Sequence, residues 1–168
     1  MYRDLDIVYF TLFPWDNAYS SVSLSFAKEF AKNNRVFYIN HPYSVKDFYD
    51  NFNTPMGKER RKDMFLNRMR YETVEDLSDN IVFAHPPLTL PINWMSPGSL
   101  YNQAWKMNNR KILKTIKKVI DDYKLSDFIY LNCYNPFFAG TLPKDYGQIV
   151  NIYQCIDIRY PSDIDIQN

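Results

Sequence analysis

The side chains of this chain that could do chemistry fall into short clusters, each at the end of an apolar run. Trp15, Asp16 and Asn17 follow Ile7-Val8-Tyr9-Phe10. An indole beside a carboxylate suits a sugar: CH groups stack on the ring, and the carboxylate accepts hydrogen bonds from hydroxyls. The same residues suit a plug over the end of a sheet, with Asp16 or Asn17 closing a turn. Asn132, Tyr134 and Asn135 crowd the end of a later run. Two amides and a phenol there fit polyhydroxyl recognition or the capping of local backbone. His41 and His85 each end an apolar run and precede a proline. A neutral imidazole donates and accepts at once, so each is either a hydrogen-bonded edge histidine or a ligand contact, with His85 the stronger candidate. A catalytic base must lie within reach of a nucleophilic hydroxyl, and no residue is assigned a catalytic role.

Several chemistries lack their residues. No glycine occurs between Met1 and Phe52. A dinucleotide fingerprint needs glycines for its turn and for close approach to pyrophosphate, and a P-loop needs glycines and a lysine. No Gly-x-Ser-x-Gly elbow or Ser-His-Asp set supports a hydrolase. The triplets Asp4–Asp6 and Asp163–Asp165 lack the mid-domain context of a metal site, and no metal is expected. Cys133 and Cys155 have no metal-ligand spacing and read as reduced, buried thiols.

The elements that must position these residues follow from periodicity. Ile7–Phe10 and Val36–Ile39 are β-branched and aromatic runs, hence strands. Between them Val22, Phe26, Ala27, Phe30 and Ala31 recur at helical spacing and define an inward face. Ser20 or Ser21 can cap the start of that helix. Asn33 or Asn34 can end it in the left-handed conformation. Strand, helix, strand implies a parallel pair. A short helix is expected at Val45–Phe52, and further helix within Gly57–Arg70. Strands are expected at Tyr71–Val74 and Ile81–Ala84, then a proline-rich loop from Leu88 to Pro97. Leu100–Tyr123 is the strongest helix, with Ile112, Leu113, Ile116, Val119, Ile120 and Tyr123 inward and Lys106, Arg110, Lys114 and Lys117 outward. Phe128–Asn132 and Gln148–Gln154 complete the set. The order predicts a single α/β domain over residues 1–168: a Rossmann-like three-layer sandwich, mainly parallel, with an extra hairpin or strand around 71–85.

Three stretches carry a resemblance, one of them the segment His85-Pro-Pro-Leu-Thr-Leu-Pro91 before the long helix. The opening strand, the Trp-Asp loop, the helix with Phe26-Ala27 and Phe30-Ala31, and the strand ending in His41-Pro42 resemble the start of GT-B glycosyltransferases of bacterial surface-polysaccharide type. Ile149-Val-Asn-Ile-Tyr-Gln-Cys-Ile-Asp157 is similar to the strand that closes their N-terminal domain, where a Tyr-x-Cys-x-Asp pattern is typical. Relatives often carry a second acid next; Ile158 stands there instead. The resemblance implies the acceptor-side N-terminal half of an enzyme that moves a sugar from a nucleotide-diphospho-sugar to a glycan or lipid-linked glycan. The donor would sit in a C-terminal half beyond residue 168, so this half needs no cofactor and should not turn over alone. Acceptor contacts would then come from Trp15, Asp16, Asn17, His85, Asn132, Tyr134, Asn135 and Asp157. The alternative is a stand-alone flavodoxin-like module that binds a small ligand or a protein.

The formal charge of +1 over 168 residues is too close to neutral to argue for nucleic acid by itself, and no nucleic-acid partner is expected. Within it lies a local basic cluster: Lys58, Arg60, Arg61, Lys62, Arg68 and Arg70 against Glu59 and Asp63. Interleaved with apolar residues, it suits an anionic membrane surface. No run of eighteen apolar residues and no leader-like apolar core are present. The expected location is cytoplasmic, with peripheral attachment to the inner face of the membrane.

Overall fold

A computed structural model describes residues 5–15, 22–50, 52–53, 58, 62–63, 66–74 and 77–155. In chain order these form β1 (Asp6–Thr11), α1 (Val22–Phe30), β2 (Arg35–Ile39), α2 (Val45–Asp50), β3 (Arg70–Glu72), β4 (Ile81–His85), α3 (Ser99–Tyr123), β5 (Phe128–Cys133) and β6 (Gln148–Gln154). A single 3-10 turn at Lys144–Tyr146 precedes β6. The strands make one sheet in the order β3-β4-β2-β1-β5-β6. β3 is antiparallel to β4, and the other pairs are parallel. The extra hairpin or strand expected around 71–85 is the antiparallel pair β3–β4.

The apolar runs lack alternation because the central strands are buried on both faces, as parallel strands usually are. Val8, Phe10, Phe37, Ile39, Phe128 and Tyr130 pack with Ile112, Ile116, Val119 and Ile120 of α3. Ile7, Tyr9, Val36, Tyr38, Phe83 and Leu131 pack on the other face with Ala27 and Ala31. Helix, sheet and helix make the expected three layers.

Particular residues depart from the periodicity reading. On α1, Val22 and Phe26 are exposed, and Ser23 and Ala27 turn inward. Ser23 faces in because its hydroxyl has buried partners: Thr11 Oγ1 donates to it at 3.1 Å, and Cys133 Sγ lies 3.2 Å away. Neither Asn33 nor Asn34 takes a positive φ. Asn34 ends the helix through its side chain, donating from Nδ2 to the Phe30 carbonyl at 3.0 Å. Cys155 is exposed, whereas Cys133 is buried; both are free thiols. β6 is an edge strand with Ile149, Val150, Ile152 and Tyr153 exposed.

α3 also carries a polar pair on its buried face, Asn108 and Thr115. Asn108 Oδ1 accepts from Leu90 N at 2.8 Å and its Nδ2 donates to Leu90 O at 2.9 Å. Lys111 Nζ donates to Leu88 O at 2.6 Å. These bonds clamp the proline-rich loop onto the helix. A loop with four prolines at Pro86, Pro87, Pro91 and Pro97 has few N–H groups with which to hold itself. Asn108→Ala should therefore cost about 2–4 kcal/mol, since it strands two backbone groups as well as deleting two bonds. Urea unfolding would read this as a lower midpoint at unchanged slope; a loss below about 0.5 kcal/mol would mean the clamp contributes nothing net.

Candidate functional site

Parallel strands deliver their loops to one rim, and the crevice opens where strand order reverses. Here β1 lies between β2 and β5, and the carboxyl ends of β1, β2, β4 and β5 present Leu12–Trp15, Asn40–His41, His85 and the loop from Tyr134. The rim is built by two asparagine–histidine pairs.

In the first pair, Asn40 Oδ1 accepts from the backbone N–H of Trp15 at 3.0 Å. That contact fixes the amide orientation, so Nδ2 faces His85 Nδ1 at 3.3 Å. Nδ1 must accept, which leaves the proton on Nε2, and Nε2–H donates to Glu72 Oε2 at 2.8 Å. His85, expected as the stronger ligand contact, therefore has both nitrogens engaged within the fold.

In the second pair, Asn135 Oδ1 accepts from the backbone N–H groups of Phe137 and Phe138, each at 3.1 Å. Its Nδ2 faces His41 Nδ1 at 3.0 Å. No hydrogen bond among the described residues reaches His41 Nε2. The His41 ring stacks on Phe138, 6.0 Å between centroids. Burial pushes its pKa down from 6.5 to about 4, against a smaller opposing pull from Asp47.

The other expected contacts separate into builders and plugs. Asn132 is fully buried. Its Oδ1 accepts from Asn135 N at 3.0 Å, and its Nδ2 lies within 3.0–3.3 Å of the carbonyls of Asn135, Phe138 and Ala139. It shapes the loop and is closed to a ligand. Trp15 lies against Phe83 with centroids 4.9 Å apart, and its Nε1 is buried. It is the plug, and its ring is not an open stacking platform. Tyr134 adopts φ +56° and stacks on Phe13, 6.1 Å between centroids and 4° between planes. Asp16, Asn17 and Asp157 lie outside the described residues, as do Arg60 and Arg61.

Among the described residues, His41 borders three clefts. One, of about 340 Å³, is lined by Ser44, Lys46, Asp47, Thr89–Trp94 and Phe138. A second, of about 530 Å³, is lined by Leu12, Ile92, Asn93, Met95, Pro97, Tyr101, Phe137 and Phe138. They share His41, Ile92, Asn93 and Phe138, so together they form one groove across the rim. Trp94 stands at its edge, 75% exposed. The third, of about 20 Å³, has room for a water; Arg68, Arg70, Asp63, Tyr43 and His85 surround it. Among the described residues no group of three or more His, Cys, Asp or Glu is placed to hold a metal.

The residues that sequence reading passed over are Trp94, treated only as part of a loop, and His41, ranked below His85. Their signal was weak. Nothing in either histidine's neighbours in sequence reveals that Glu72 occupies one ring and not the other.

Comparison of the chain with family models, with characterised proteins and with solved structures gives no match in any of the three. The groove and its residues are the ground for any functional reading.

The low pKa of His41 makes stability depend on pH. The unfolded ring, at 6.5, binds a proton more readily than the folded one, at about 4. The stabilisation from holding a neutral ring is complete above 6.5 and is lost as pH falls toward 4, by roughly 3 kcal/mol in all. His41→Gln keeps an acceptor for Asn135 without a titrating ring. Its stability should fall less between pH 7 and pH 4 than that of the unsubstituted chain, the difference being read from paired denaturant titrations; equal losses would refute the assignment.

Proposed function

We propose that this chain is the acceptor-side domain of a two-domain glycosyltransferase, and that its groove holds a glycan or lipid-linked glycan. The observation that carries this reading is the groove itself. Polar side chains of Ser44, Thr89, Asn93 and His41 share it with the aromatic faces of Trp94, Phe137 and Phe138. Hydroxyls need directional donors and acceptors; the CH faces of a sugar need flat apolar surface. A rim with both, at a switch point and with volume typical of ligand sites, fits that chemistry. The nucleotide-diphospho-sugar would be held by a second domain, and leaving-group stabilisation would come from there. The resemblance of residues 6–42 and 149–157 to GT-B enzymes points the same way. A flavodoxin-like module for a small ligand is the rival reading, and it would use the same rim.

The basic segment belongs to the same proposal. Lys58, Lys62 and Arg68 are exposed, and Arg68 and Arg70 border the smallest cleft beside His41. Among the described residues no helix is long and apolar enough to cross a membrane. A lipid-linked acceptor would bring an anionic surface to these residues, worth about 1 kcal/mol for each basic side chain close to it.

Two measurements test this. Trp94→Ala should leave folding intact, because the ring is exposed, and should weaken binding of neutral oligosaccharides at least tenfold by calorimetry. It should also lower transfer in the polypeptide that carries the donor-binding half. Unchanged binding and transfer would remove the groove from the reaction. Separately, the chain should sediment with vesicles containing anionic lipid and not with neutral vesicles, and R68A/R70A should reduce this. Equal sedimentation with both vesicle types would discard the membrane part of the proposal.

A further inference from the structure

We infer that His41 serves as a fixed hydrogen-bond donor through Nε2–H to an oxygen of a neutral hydroxylated ligand, locked in that tautomer by Asn135, and that it is not an acid or base. The ligand class rests on the glycan reading above; the lock does not.

The lock is a chain of forced choices. Backbone amides can only donate, so the atom of Asn135 that meets Phe137 N and Phe138 N must be its oxygen. The NH₂ group is thereby turned toward His41. An NH₂ group only donates, so Nδ1 of His41 must present a lone pair. A neutral imidazole has one proton, and it is left on Nε2. Asn135 itself is 1% exposed, and its backbone N–H is held by Asn132. No step in this chain is free to reverse without stranding a buried donor.

His85 shows what the same device does when its far end is occupied. Asn40 fixes its tautomer in the same way, but Nε2–H is spent on Glu72. At His41 no hydrogen bond among the described residues reaches Nε2, and the residue lines the groove. Among the described residues, the charged and titratable groups that share a cleft with the ring are Asp47 and Lys46 on α2, Tyr101 on α3 and, in the smallest cleft, Tyr43, Asp63, Arg68, Arg70 and His85. One acid with a weak pull on the ring does not outweigh its burial. A general base at Nε2 would need a lone pair there, and the lock removes it. A sugar hydroxyl or ring oxygen accepts from such a donor at any pH where proteins are folded and the ring is neutral.

The test uses the whole 168-residue chain with ¹⁵N-labelled histidine, which gives only two imidazoles to resolve. Long-range ¹H–¹⁵N correlation should show His41 protonated on Nε2 alone from pH 5 to pH 8; His41→Gln assigns its signals. Asn135→Asp is nearly isosteric and still accepts from Phe137 and Phe138, but offers His41 only acceptor atoms. It should move a proton onto Nδ1 and leave the circular dichroism unchanged. A panel of neutral disaccharides should shift the Nε2 resonance of the unsubstituted chain and bind N135D at least tenfold more weakly. A proton on Nδ1 of the unsubstituted chain, or a spectrum unaffected by N135D, would overturn the lock even if sugars bind. An Nε2–H tautomer that N135D inverts, with no disaccharide bound, would confirm the lock and count against the glycan reading alone. Disaccharides that bind both chains equally would overturn the donor role of His41.

Discussion

A backbone that leaves a doubly buried sheet must satisfy its own N–H and C=O groups before it reaches water. Four central strands here are buried on both faces, and the sequence has only four glycines with which to turn. Side-chain amides take over the task. Asn40 receives the N–H of Trp15, Asn108 clasps Leu90 at both polar atoms, and Asn109 accepts from Ala139 N at 2.8 Å. Asn132 and Asn135 hold the loop after β5 from within. An amide carries a donor and an acceptor on one short stem, so one residue can close two gaps. Where the chain reverses sharply, Tyr134 and Ala139 take positive φ without a glycine. Tyr134 N donates to Gln154 O at 2.9 Å, and both Tyr130 Oη and Asn132 Nδ2 donate to the Ala139 carbonyl, offsetting the strain.

The same constraint sets the electrostatics of the rim. An asparagine anchored by backbone donors has no choice of orientation, and it transmits that to the imidazole beside it. Both histidines are thereby oriented by groups that are themselves oriented by main chain. What differs is the far side of each ring, where Glu72 on β3 meets His85 and the groove meets His41. The antiparallel hairpin thus has a consequence beyond adding a strand: it puts a carboxylate over the rim and closes one of two equivalent sites.

The groove owes its shape to the clamp between α3 and the proline-rich loop. Prolines deprive that loop of donors, and Asn108 and Lys111 supply polar contacts from a mostly apolar helix face. Burial lowers the pKa of Lys111, the mark of an ammonium drawn toward the protein to reach a carbonyl. Held this way, the loop carries Trp94 outward at the groove edge. Trp105 Nε1 donates to Phe137 O at 2.7 Å and ties the opposite wall to the same helix. One helix therefore braces both walls of the groove, through Trp105, Asn108 and Lys111.

Periodicity and local chemistry determined the elements and their order. β-branched and aromatic runs became strands, the 3.6-residue repeat from 100 to 123 became the long helix, and the short runs near 71 and 81 became an antiparallel strand pair. These rest on patterns in neighbouring residues, and such patterns are readable from the chain alone. The rim residues were legible as a set, because parallel strands must deliver their loops to one edge. Their roles were not. Trp15 as plug, Asn132 and Asn135 as builders, His85 as occupied and His41 as open all depend on partners 3 to 94 residues away in sequence. Val22 and Phe26 face outward because Ser23 finds Thr11 and Cys133 within the sheet. A hydrogen bond satisfies two groups that only folding brings together, so which polar atom is left open at the rim is decided by tertiary structure.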